Sequence, residues 1–219
     1  MRPATLIARY ALAAAALATC SSAAVAAPMT FRTIAVGERC GARCPQMIVA
    51  EGEITTSTPA QFVDFVRRRA HDPNTRGVIL MHSGGGRVGA AMQLGRMFRE
   101  SGAAVIVGRV GPTGVTSGSC YSACVYALVG ARKRVIPNVS RVGVHRMVAF
   151  DATGASFDDE RRYGPVYATP DLVKRLSDYV GSMGVSRELI AVAERVSHDR
   201  LRIVTQQEIR RWRLGSPKF

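Results

Sequence analysis

Three short segments of this chain carry residues that together could do covalent chemistry. His82-Ser83-Gly84-Gly85-Gly86 is a glycine turn, Cys120-Tyr121-Ser122-Ala123-Cys124 presents a serine, and Gly143-Val144-His145-Arg146 presents a histidine. A hydroxyl is a poor nucleophile at neutral pH. It needs a base to take its proton and donors to hold the oxyanion. Ser122 offers the hydroxyl and His145 the base. Glycines between a strand and a helix let backbone N–H groups turn toward a ligand, and the helix N-terminus adds its dipole. These are three of the four parts of a serine hydrolase. The fourth is an acid that orients the histidine.

Each part has a plainer reading. A triple glycine on its own is a tight turn. No G-K-[S/T] follows it, which argues against a P-loop nucleotide site. Ser122 could be a helix N-cap. It does not stand in the G-x-S-x-G elbow, because cysteines occupy the places of those glycines. A lone histidine is usually structural. His71 reads as a helix C-terminal residue, and His198 as surface.

The elements that must position these residues alternate strand and helix. Met47 to Ile54 reads as a strand. Thr58-Pro59-Ala60-Gln61 opens a helix with threonine as cap and proline at the first position. Gly77 to Met81 and Ala103 to Val107 are continuously apolar runs, as expected of buried parallel strands. A helix over about 88–100 lies between them. Gly111 to Ser119 reads as a loop, Tyr121 to Leu128 as a helix, and Lys133 to Ile136 and Arg141 to Val144 as short strands. Phe150 to Tyr163 reads as an exposed loop. Thr169-Pro170-Asp171 opens a helix through Val180, Ser186 caps another over about 187–196, and Thr205 begins the last. This alternation predicts one α/β domain with a largely parallel sheet.

The N-terminus reads differently. Arg2 and Arg9, the apolar run from Leu12 to Ala18, and Ala24-Val25-Ala26 form a signal-peptide pattern with cleavage after Ala26. The apolar run is too short to span a bilayer. Leu17-Ala18-Thr19-Cys20 offers a lipoprotein as the alternative. Residues 1–26 are therefore expected to be a signal peptide and 27–219 a single domain, exported and periplasmic, with no transmembrane segment. Losing Arg2 and Arg9 takes the formal charge from +14 to +12. A basic exported protein could meet anionic lipid or cell-wall polymer. Nucleic acid is not expected, since the basic residues form no block with interleaved aromatics.

Cys40, Cys44, Cys120 and Cys124 remain after cleavage. An even count in an oxidising compartment predicts two disulfides, in any of three pairings. Cys120 and Cys124 stand about one helical turn apart, near disulfide reach, and each could instead pair with Cys40 or Cys44. C-x3-C spacing without a histidine pair argues against zinc, and it is not the redox C-x-x-C. No metal or cofactor is expected.

The ordered set of motifs from about Met47 to Gly215 resembles the Clp protease proteolytic subunit within the crotonase-like superfamily, and most of all its exported bacterial relatives. The family's N-S-P-G-G turn is similar to residues 82–86, its A-S-M-G turn to residues 121–124, and its L-P-N-S-R-V-M-I-H segment to Ile136 through His145 with one residue added. The resemblance implies a ClpP/crotonase-like α/β fold of repeated β-β-α units. It implies Ser122 as nucleophile, His145 as general base, and the N–H groups of Gly85 and Ala123 as oxyanion hole. It implies a peptide or acyl substrate and a possible homo-oligomer. The family's aspartate falls at Ala193, so Glu194 is the first candidate acid and Asp199 the second, with Asp171 and Asp178 behind them. The expected function is an exported Clp-like serine peptidase. The alternative is an inactive binding module on the same scaffold, and an acyl-CoA hydratase or isomerase lacks its paired glutamates.

Overall fold

The computed structural model describes residues 27–37, 41–70, 72, 74–148 and 166–218. The expected signal peptide, Cys40, His71 and the expected loop from Phe150 to Tyr163 lie outside them. One sheet runs β1 (Thr30–Ala35), β2 (Gln46–Glu51), β3 (Thr75–His82), β4 (Ala104–Gly111) and β5 (Gly114–Ser117), and β7 (Lys133–Val135) also pairs with β4. The β2–β3, β3–β4 and β4–β7 pairs are parallel, whereas β1 and β5 join antiparallel. A smaller sheet holds β6 (Ser119–Tyr121) parallel to β8 (Arg141–Val144), with β9 (Arg202–Ile203) antiparallel. The result is a mixed α/β fold with a mostly parallel sheet.

The apolar runs behave as parallel strands should. Ile79, Leu80, Met81, Val105 and Val107 are all buried, which is why no polar residue interrupts them. Helices α1 (Thr58–Arg69), α2 (Val88–Glu100), α3 (Cys124–Gly130), α4 (Pro170–Ser182), α5 (Glu188–Ala193) and α6 (Gln206–Arg211), with a 3-10 turn at Gly41–Arg43, complete the described elements. Leu94 and Phe98 of α2, Leu128 of α3, Leu176 of α4 and Trp212 after α6 share one core. Helices α2 and α3 meet backbone to backbone. A Cβ on Gly130 would lie 2.0 Å from the Gly95 carbonyl oxygen, so only glycine fits there. The Tyr179 hydroxyl of α4 donates to the Tyr126 carbonyl of α3 at 2.8 Å, which satisfies a buried polar group.

Five local expectations are revised. The stretch from Gly111 to Ser119 is not a loop. It holds β5 and the start of β6, and its glycines are consumed in a hairpin and a tight crossing. Gly118 backs onto Gly108, where a Cβ would come within 2.5 Å of the Gly108 Cα. Helix α3 begins at Cys124 rather than Tyr121, because the intervening turn is not helical. Thr58 does not cap α1. It is the first helical residue, fully buried, and its hydroxyl accepts from the Thr55 N–H at 2.9 Å. The helix expected to reach Val196 ends at Ala193. Ser186 is not the N-cap of α5, which is Arg187, although its hydroxyl accepts from the Glu188 N–H at 3.2 Å. The caps expected at Thr169 and Thr205 form. Thr169 accepts from the Leu172 N–H, and Thr205 makes a capping box with Glu208.

Candidate active site

Ser122 sits between the end of β6 and the start of α3. Its φ is 52°, a left-handed value shared among described non-glycine residues with Arg213 alone. Such a backbone costs about 1–3 kcal/mol and persists where the surroundings fix it. Three contacts do so. The Ser122 N–H donates to the Gly143 carbonyl at 2.9 Å, and the Ser122 carbonyl accepts from the Val125 N–H at 3.0 Å. A disulfide joins Cys120 to Cys124 across the turn, with 5.2 Å between the Cα atoms. Of the pairings left open by the sequence, the structure has this local one. Cys44 is disulfide-bonded too.

The parallel pairing of β6 with β8 places His145. Tyr121 stands opposite Gly143, so Ser122 and His145 leave adjacent strands at the same end, each one residue past the end of its strand. No hydrogen bond joins their side chains among the described residues. The buried Nδ1 of His145 has no hydrogen-bond partner there either. Burial holds the His145 imidazole below its usual range, and His198 lowers it further. A backbone hydrogen bond at Arg146 and the charge of Glu194 act in the opposite sense.

The glycine turn backs directly onto the serine. Ser83 N–H donates to the Ser119 carbonyl at 2.9 Å, and Tyr121 N–H donates to the Ser83 carbonyl at 3.0 Å, which ties the turn to β6. Gly85 has φ 118°, and a Cβ there would lie 2.8 Å from the Ser122 Cβ. The Gly85 N–H is engaged: it donates to the Ser83 hydroxyl at 3.1 Å, and that hydroxyl lies 3.3 Å from the Gly85 carbonyl. The Ala123 N–H makes no hydrogen bond among the described residues. Sequence reading passed over Ser83. Its signal was a small hydroxyl two residues before a glycine, the spacing at which serine bonds backbone amides in turns. His82, beside it, accepts the Ser119 N–H on Nδ1 at 2.9 Å, so that ring carries its proton on Nε2.

The candidate acids divide sharply. Glu194 ends α5 and lies near His145, but it is held by others. Its Oε1 accepts the Met147 N–H at 3.3 Å, and its Oε2 pairs with Arg146 Nε at 3.6 Å. The Arg146 guanidinium stacks 3.9 Å over the Tyr167 ring. Asp199 is fully exposed and held low by the Ser197 hydroxyl first, then by Arg200 and His198. Asp171 lies in the first turn of α4. Asp178 pairs with Lys174 and Arg187 at the surface. Beside Arg146 and Glu194 a groove of ≈ 720 Å³ opens between α4 and α5, over Val173 and Ile190. Ser122 and His145 do not line it.

No family model matches the sequence, and no curated protein matches it. Solved structures do. The 1510-N membrane-bound stomatin-specific protease, in a serine-to-alanine variant, matches with TM-score 0.50 and 19% identity over 74% of this chain and 73% of its own. A second variant of that protease, in complex with a substrate peptide, matches with TM-score 0.50 and 19% identity over 77% of this chain and 71% of its own. ClpP1 from Listeria monocytogenes matches with TM-score 0.53 and 16% identity over 81% of this chain and 92% of its own. The fold is therefore ClpP-like, that of a group of serine peptidases. At these identities the likeness is one of fold, and the chemistry rests on the residues of this chain.

Proposed function

We propose that this protein is an exported serine peptidase in which Ser122 is the nucleophile and His145 the general base. The observation that carries the reading is the left-handed φ of Ser122, clamped by a disulfide and set beside Gly85 at the strand end where His145 also emerges. A strained serine at a strand-to-helix turn exposes its hydroxyl. In the reaction, Ser122 Oγ bonds to the substrate carbonyl carbon while His145 takes the hydroxyl proton. The Ala123 N–H donates to the developing oxyanion, and the Gly85 N–H joins it once released from Ser83. The peptide C–N bond then breaks, and His145 returns the proton to the leaving amine. Water hydrolyses the acyl-enzyme by the same steps in reverse.

Glu194 is proposed to act through its charge, which favours the imidazolium that forms. The disulfides and the N-terminal signal pattern support export. No described helix is long and apolar enough to cross a membrane.

A fluorophosphonate probe should label the protein on Ser122, and Ser122→Ala should abolish labelling, read by mass spectrometry of the modified peptide. Equal labelling of both proteins would overturn the assignment. Labelling requires a neutral base, so its rate should rise with pH. Because the folded imidazole titrates below the ordinary value of 6.5, the midpoint should fall below that value. A midpoint at or above it would show that burial does not lower the imidazole, and a rate independent of pH between about 5 and 8 would remove His145 as the base.

One observation favours a second reading, a binding module that holds a carbonyl without cleaving it. No described carboxylate bonds to His145 Nδ1. Peptide turnover that disappears in Ser122→Ala would exclude this reading.

A further inference from the structure

The glycine turn holds a buried hydroxyl that takes no part in the bond changes at the substrate. We infer that Ser83 is a positioning residue that latches the Gly85 amide away from the oxyanion. The developing oxyanion must take that N–H from the Ser83 oxygen. The inference rests on the peptidase reading above and adds a control on its rate.

Ser83 is 2% exposed, so its hydroxyl must find partners inside the protein. Both are on Gly85. The hydroxyl oxygen accepts the Gly85 N–H at 3.1 Å, and the hydroxyl donates to the Gly85 carbonyl at 3.3 Å. The second bond is redundant, because that carbonyl already accepts the Ile54 N–H at 2.8 Å. The first is not. Among the described residues the Gly85 N–H has no other acceptor. The ends of the turn are fixed independently. The Ser83 backbone is tied to Ser119 and Tyr121, and Gly86 bridges to Ile54 in parallel. Between these anchors lies the Gly84–Gly85 peptide, which carries the N–H. Gly84 is exposed, and a Cβ there would meet no atom within 4 Å. This peptide plane can therefore turn without breaking a strand pairing, and the Ser83 oxygen restrains it.

The place of this restraint gives it a consequence. A Cβ on Gly85 would lie 2.8 Å from the Ser122 Cβ and 3.2 Å from the Ala123 nitrogen. The latched amide thus stands beside the nucleophile and beside the other proposed donor. An N–H already bonded to a hydroxyl gives the oxyanion only the difference between two hydrogen bonds. A charged oxygen is the stronger acceptor of the two, so the exchange proceeds as negative charge develops. The latch therefore acts in the transition state, lowering kcat and leaving KM unchanged. A bond that merely closes the turn predicts the opposite effect on rate when it is removed.

The test is Ser83→Ala. Its denaturant midpoint should fall, because the Gly85 N–H loses its partner. Fluorophosphonate labelling of Ser122 and kcat for a fluorogenic peptide should nevertheless each rise about fivefold, with KM unchanged. Ser83→Cys, which sets a weaker acceptor at the same place, should fall between wild type and Ser83→Ala. A peptide aldehyde, which forms a tetrahedral adduct on Ser122, should bind Ser83→Ala about fivefold more tightly. Unchanged rates would overturn the proposal. So would rates that fall together with stability, the result of a purely structural bond. The wild-type protein supplies a check that needs no variant to fold. The Gly85 amide proton resonance should move downfield when Ser122 is phosphonylated, and a resonance that stays in place would overturn the proposal. Absence of wild-type labelling would overturn the peptidase reading and this proposal with it, whereas equal labelling of wild type and Ser83→Ala overturns this proposal alone.

Discussion

Gly85→Ala should lower the rate of Ser122 labelling by about a hundredfold or more while the protein stays folded. Two costs meet at this position. The backbone φ of 118° is one that L side chains rarely adopt, at about 1–3 kcal/mol. The added Cβ would also lie 2.8 Å from the Ser122 Cβ, 3.0 Å from the Tyr121 carbonyl oxygen and 3.2 Å from the Ala123 nitrogen. None of these is the end of a flexible side chain. The collision is relieved only by moving the serine or the amide after it, which are the two groups the proposed chemistry needs in place. Gly84→Ala is the matched comparison. Its Cβ would meet no atom within 4 Å and its φ is not left-handed, so labelling should stay within about twofold. Wild-type labelling in Gly85→Ala would show that the glycine turn does not support Ser122.

Removing the Cys120–Cys124 disulfide should have the second large effect. The ring it closes holds Ser122 at its centre, and both cysteines are fully buried. For so short a ring the loss of chain constraint is worth about 2 kcal/mol. The double variant Cys120→Ala with Cys124→Ala avoids burying new hydroxyls. It should unfold at lower denaturant by that amount. Its labelling rate should fall by about tenfold or more, because the left-handed backbone at Ser122 loses a restraint comparable to its own strain. Denaturant midpoints and labelling rates measured on the same samples check both halves. An unchanged labelling rate would mean that the hydrogen bonds to Gly143 and Val125 suffice to hold the turn.

The sequence showed the scaffold better than the details of the site. Strands β3 and β4 were legible because burial on both faces leaves an unbroken apolar run, and the caps at Thr169 and Thr205 because capping is a local bond. Strand β5 was hidden because Gly, Thr and Ser satisfy loop chemistry as well as an exposed edge. The start of α3 was misplaced because nothing local announces a serine at φ 52°. That angle is imposed by β8 through Gly143 and by a disulfide whose pairing four cysteines leave open. The engagement of the Gly85 amide by Ser83 depends on how the turn closes. The acid was hardest. Glu194 is near His145 only because α5 ends at Ala193, and its oxygens go to Arg146 and Met147, a competition between groups 47 or more residues apart.

The pairing of β6 with β8 sets different tolerances on the two sides of Arg141. From Arg141 to His145 the backbone is a measured length. Side chains alternate faces along a strand, so one residue gained or lost there would swing the imidazole to the opposite face. Just upstream, the turn at Pro137 to Val139 is free of that demand, and Val139 is 73% exposed. The single residue by which this segment exceeds the Clp-type motif can be absorbed there without reaching the histidine. Sequence drift is thus cheap three residues before the strand and forbidden within it.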